Sequence, residues 1–119
     1  MPHDQHQDID PADLPPVITR YLAAHRTRDT ATALTTLTPD ASVTDDGKTY
    51  EGIPAIGTWL DRATGEYTYT TELTGAQRVD PAHYIATHHL EGNFPGGQVD
   101  LHFRFTLRGE LIEQLVIEP

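Results

Sequence analysis

The chain has no cysteine, a single lysine, a single serine and no long apolar run. Without cysteine there is no disulfide framework, no thiolate zinc site and no cysteine nucleophile. Ser42, the one serine, sits in no G-x-S-x-G elbow, so serine-dependent hydrolysis is not expected. Eight basic residues (Lys48 and seven scattered arginines) stand against eighteen acidic ones, for a formal net charge of −10. Nucleic acid and anionic membranes both demand clustered positive charge, so neither is expected as a partner. No stretch approaches the roughly 18 apolar residues of a membrane span, no glycine-rich phosphate loop is present, and no secretory leader is expected. A cytoplasmic protein is the expectation.

What is present fits one domain. The 119 residues are enough for a single core and too few for two. Residues 1–12 (MPHDQHQDIDPA) are polar and acidic and are expected to form a disordered arm ahead of a domain spanning 13–119. His3 and His6 do not make an amino-terminal copper or nickel site, because Pro2 lacks the amide hydrogen such a site displaces.

The first helix is expected from near Asp13, with Pro15 and Pro16 in its first turn and Leu14, Ile18, Tyr21, Leu22 and His25 on one face. Asp29 can cap a short second helix burying Leu34 and Leu37, which Thr38-Pro39-Asp40 ends. Ala41 to Asp45 reads as a strand, Gly47 as a turn and Thr49-Tyr50-Glu51 as a returning strand. A third helix is expected from about Ile53 to Ala63, presenting Ile56, Trp59 and Leu60 and stopping at Gly65.

From Tyr67 the apolar period changes from helical to two. Tyr67 to Ala76, His83 to Phe94, Gln98 to Leu107 and Leu111 to Ile117 read as strands joined by tight turns. Helices first and a meander afterwards predict an α+β domain with helices on one side of a curved antiparallel sheet. Alternation is unbroken over Val99 to Leu107, which turns Leu101, Phe103 and Phe105 to one face. Pairing across the Pro95-Gly96 turn then sets Leu90 opposite Leu101, His88 opposite Phe103 and His89 opposite His102. That register places His88 inside.

Five polar or aromatic groups thus point inward: Tyr21, His25, Asp45, Trp59 and His88. A strand-end carboxylate facing an apolar cavity has a raised proton affinity and suits a general base, which is one reading of Asp45; the other is a cap on the Asp46-Gly47 turn. Tyr21, one turn from His25, is either a donor to a developing oxyanion or an amphipathic core tyrosine, with His25 at the pocket rim. His88 is either an acid/base group or a satisfied core histidine. Trp59, Tyr84 and Phe103 either wall a substrate pocket or fill it. His89, Glu91, Asp100 and His102 have ligand-like side chains on the outer face, but neighbouring His88 and His89 point to opposite faces, so no metal site is expected.

Four strings carry a family resemblance: Ile18-Thr19-Arg20-Tyr21-Leu22-Ala23-Ala24, Pro39-Asp40-Ala41-Ser42-Val43-Thr44-Asp45, Glu51-Gly52-Ile53-Pro54-Ala55-Ile56 and His102-Phe103-Arg104-Phe105. With the order of elements they resemble the nuclear transport factor 2-like superfamily, in its SnoaL-like polyketide cyclase and ketosteroid isomerase branch, over about Val17 to Ile117. The resemblance implies a cone-shaped α+β barrel, with three helices packed in a strongly curved sheet, a deep apolar pocket and a homodimer through the sheet. It implies a small hydrophobic ligand and no cofactor. In the ketosteroid isomerases a pocket aspartate moves the proton while a tyrosine and a protonated acid hold the oxyanion. Matched by motif, the base falls on Asp45, the tyrosine on Tyr21 and the second acid on Leu101, which cannot donate; His88 would have to stand in. The expected functions are a cofactor-free isomerase or cyclase acting beside a carbonyl, a non-catalytic binding module of the same fold, or a structural dimer.

Overall fold

Two consecutive prolines decide where the first helix begins. A residue before proline is driven out of the helical region, and Leu14 and Pro15 sit extended at ψ 146° and 143°. Helix α1 therefore spans Pro16–Arg26 rather than starting near Asp13. Ahead of it lies a short 3₁₀ turn, Pro11–Asp13, in which the Asp10 carboxylate accepts the Ala12 amide at 2.9 Å. The computed structural model describes residues 7–66 and 69–119, with the helix at 63–66 described by its backbone alone.

Helix α2, Thr30–Thr35, is capped as expected by Asp29, which accepts from the Thr32 amide at 3.1 Å and the Thr32 hydroxyl at 2.7 Å. It ends before Leu37. The threonine-rich run that follows favours extended backbone, and Leu37 opens strand β2, Leu37–Asp45, rather than closing the helix. A two-residue hairpin turn, Asp46 and Gly47 at φ 54° and 76°, leads into β3, Lys48–Glu51. Helix α3 runs Ile53–Glu66, past the expected stop at Gly65.

Strands β4 (Tyr69–Asp80), β5 (His83–Gly92), β6 (Gln98–Arg108) and β7 (Leu111–Glu118) form the meander. The expected first residue of β4, Tyr67, lies outside the described residues. The arm expected to be disordered is ordered from Gln7 onward: β1, Gln7–Ile9, pairs with the edge of β4, and Gln77 donates to the Asp8 carboxylate at 2.9 Å. Residues 1–6, with His3 and His6, lie outside the described set. The sheet order is β1-β4-β5-β6-β7-β2-β3, and the sheet is curved and unclosed. It is not wholly antiparallel. β7 lies parallel to β2, reached through α3 and the whole meander, the long crossover a parallel pair requires.

The β5–β6 register differs from expectation by two residues: His88 pairs with Leu101, Ala86 with Phe103, Leu90 with Val99 and His89 with Asp100. The loop is centred one residue earlier than assumed, with the Gly92 amide donating to the Gly97 carbonyl at 3.0 Å and both Gly96 and Gly97 at positive φ. A slip of two preserves the face of every side chain, so His88 still points inward and is 7 % exposed. The inner face packs on the helices, with Ile18, Tyr21, Ile56, Phe105 and Leu115 at the centre. Each such aliphatic burial contributes about 1.5–3 kcal/mol. No helix among the described residues is long and apolar enough to cross a membrane.

Candidate functional site

Between the carboxyl end of α1 and the inner faces of β4, β5 and β6 lies a cavity of about 370 Å³. Its apolar walls are Leu22, Leu73, Leu90 and Phe103. Its polar groups are the imidazoles of His25 and His88, Tyr69 and two threonines, and at the mouth the exposed Arg26 and Arg28. Among the described residues no carboxylate lines it.

His25 is held from behind. Tyr21, one turn earlier on α1 and fully buried, places its hydroxyl 3.2 Å from His25 Nδ1, with the rings edge to face at 5.7 Å. This is the hydroxyl's one hydrogen bond among the described residues, and a buried O–H left without an acceptor is costly. With the phenol as donor, Nδ1 accepts and the ring carries its own proton on Nε2. Burial pushes the Tyr21 hydroxyl well above the usual tyrosine range, with the charges of Asp45 and Tyr69 adding to the effect, so it stays protonated as a donor.

Both cavity imidazoles are neutral at pH 7. Burial pulls His25 down to about 4, and nearby His88 adds to it. Burial likewise pulls His88 down to about 4, opposed by the Ala86 backbone. The two rings share one wall: Phe103 lies 6.0 Å from His25 and 4.6 Å from His88 between ring centroids. His88 Nδ1 is buried and finds no hydrogen-bond partner among the described residues, an unsatisfied group that asks for a ligand or water.

Asp45 stands a layer away. Trp59, packed edge to face on His25 at 5.9 Å and stacked on Tyr50 at 6.1 Å, donates its indole N–H to Asp45 Oδ2 at 3.0 Å. The carboxylate's charge is felt at the cavity, because it helps raise the Tyr69 hydroxyl, whose main cause is burial; Arg28 acts in the opposite direction.

Of the expected site residues, His25, His88 and Phe103 line the cavity. Tyr21 sits behind His25, and Trp59 with Asp45 forms the next shell. Leu101 and Tyr84 pack against the core without lining the cavity. Tyr69 and Leu73 escaped the residue-by-residue reading, although the two-residue period of β4 carried the signal for both; Leu90 was placed on the inner face but not among the site residues. Arg26 and Arg28 carried none. Arg28 sits at φ 62°, in the position after a helix where glycine is usual; its amide donates to His25 and the next, Asp29, to Ala24.

On the outer face His89 bridges Asp100 at 2.7 Å and Glu91 at 2.9 Å, which raises its pKa above the ordinary histidine value.

No family model and no curated protein matches the chain. Among solved structures, a candidate polyketide cyclase from Sinorhizobium meliloti is 31% identical over 92% of this chain and 100% of its own, with a TM-score of 0.85. A Catenulispora acidiphila protein with a ketosteroid isomerase-like fold, solved with trimethylamine, is 21% identical over 88% of this chain and 85% of its own, with a TM-score of 0.76. A Mycobacterium tuberculosis protein solved with estradiol-17β-hemisuccinate is 16% identical over 87% of this chain and 90% of its own, with a TM-score of 0.71.

Proposed function

The chain belongs to the SnoaL-like group of the nuclear transport factor 2-like superfamily, and from that premise we propose that its cavity takes up a small, largely hydrophobic molecule bearing a carbonyl and moves a proton beside it. The observation that carries this reading is the pair of neutral imidazoles on one apolar wall, one of them hydrogen-bonded from behind by Tyr21. His25 donates its Nε2–H to the carbonyl oxygen as negative charge develops there. A neutral imidazole is an effective electrophile in a dry site, since it needs no reorganisation at the moment of reaction. His88 takes the proton from the adjacent carbon and returns it elsewhere, which gives an isomerisation. Attack of the same enolate on a second carbonyl gives an aldol-type cyclisation. A base with a pKa of about 4 is unprotonated at pH 7 but weak, so much of the barrier must be lowered by the oxyanion donor.

In this reading Tyr21 positions His25 rather than touching substrate, and Asp45 supplies field and anchors Trp59 rather than acting as the base. Proton transfer of this kind needs no cofactor. The ligands held by the two fold neighbours, trimethylamine and an estradiol derivative, support a small-molecule occupant. A homodimer through the outer face of the sheet belongs to the same proposal; sedimentation equilibrium tests it.

A second reading, a binding module without turnover, is favoured by the absence of a carboxylate from the described lining. One experiment separates the two. Small hydrophobic ketones are incubated with the protein in D₂O and their α-protons followed by NMR. Catalysed exchange that is lost in His88→Gln supports the enzyme reading, and binding without exchange supports the module.

A further inference from the structure

The mouth of the cavity runs against the charge of the chain. The sequence carries eighteen acidic residues and eight basic ones, yet the charged groups lining the cavity are Arg26 and Arg28, with no carboxylate among the described lining residues. Arg104 is neutralised by Glu118, and Arg108 by Asp40 and Glu113. Neither Arg26 nor Arg28 has such an ion pair among the described residues, and both are exposed at the rim.

The backbone adds a second observation. Arg28 occupies the left-handed conformation that ends α1, at φ 62°. A side chain there is strained and glycine is not. The helix would end equally well on glycine, so the motif alone gives no reason for arginine. What the arginine adds is charge at the cavity mouth, and that charge reaches the wall, since Arg28 lowers the Tyr69 pKa against the effect of burial.

We propose that the molecule taken up is a hydrophobic carboxylic acid, with its carboxylate bound by Arg26 and Arg28 and its apolar body against Leu22, Leu90 and Phe103. Arginine presents paired N–H donors that match a carboxylate. The apolar walls fix the remainder of the ligand by burial, and the imidazoles meet a polar group farther in. Such an anion enters a mouth of opposite sign although the whole chain is negative, because at physiological ionic strength distant charges are screened beyond about 8 Å.

The inference rests on the small-molecule reading of the cavity, and a matched pair of probes tells the two apart. Naphthalene-2-carboxylate and naphthalene-2-carboxamide are titrated into the wild-type protein and into the Arg26→Gln, Arg28→Gln double variant, with cavity binding followed through the Phe103 and His88 resonances. The expected result is wild-type binding about tenfold tighter for the carboxylate, a gain of the size one or two charge-assisted contacts supply. That preference disappears in the double variant while carboxamide affinity holds. Arg28→Gly, which relaxes the backbone, should lose part of it and remain folded. Equal affinity for the two probes, or a preference that survives in the double variant, overturns the anion inference and leaves the cavity reading standing. Binding of neither probe to the wild type overturns both.

Discussion

The Tyr21 hydroxyl lies 3.2 Å from His25 Nδ1, one turn along the same helix, and as a donor it would leave the imidazole proton on Nε2. Substitution Tyr21→Phe removes this contact while keeping the ring against Phe105, 5.9 Å away. The variant should fold, with a stability loss of about 1 kcal/mol for one hydrogen bond. In ¹⁵N imidazole spectra the wild-type His25 should be protonated at Nε2, and the variant should show both tautomers. An unchanged tautomer in the variant would remove Tyr21 from the site.

The inward position of His88 was legible in the sequence because alternation fixes the face of a strand residue, and the two-residue register slip left that face unchanged. The centre of the loop between β5 and β6 was not legible, because it depends on how Gly92 and Gly97 close the loop rather than on composition. Helical periodicity put Tyr21 and His25 on the same face. It could not tell that one is sealed in the core and the other lines the cavity, which only the packing of α1 on the sheet decides. Asp45 was correctly placed at a strand end, but its indole partner comes from α3, fourteen positions on. Arg28 was invisible, since arginine in a glycine conformation leaves no local signature.

Acid should destabilise the fold through the two cavity histidines. Both sit at about 4 when folded against an ordinary 6.5, so the unfolded chain binds more protons between these values. Their contribution is complete above pH 6.5 and is lost as pH falls toward 4, in total roughly 2–5 kcal/mol. Urea unfolding at pH 7.5 and 4.5 measures the loss. In His88→Gln the drop should shrink by about half, and an identical drop in the variant would contradict the account.

Asp45→Asn keeps an oxygen to accept the Trp59 N–H, so the indole should stay in place. Removing the charge takes away one of the influences that raise the Tyr21 hydroxyl, and its titration should move back toward the ordinary range. Ketone α-proton exchange should fall less than tenfold, against about a hundredfold for His88→Gln, the scale of a lost general base. A hundredfold loss in Asp45→Asn would return the base to Asp45.

Arg28→Gly should raise stability by about 0.5–1 kcal/mol, since relief of a left-handed side-chain conformation outweighs the added freedom of glycine in the unfolded chain. Denaturant midpoints compared at equal slope report it. A loss of stability would mean that the Arg28 side chain holds the helix end together, rather than serving the cavity mouth.

The central claim is that a small carbonyl compound is held between His25 and His88. The direct measurement is an NMR titration with 2-acetylnaphthalene, reading the imidazole signals of the described histidines. The account predicts saturable shifts of His25 and His88, with the His25 Nε2–H moving downfield as it meets the ketone oxygen, while His83, His89 and His102 stay still. Shifts confined to those three, or none at saturating ketone, would contradict it.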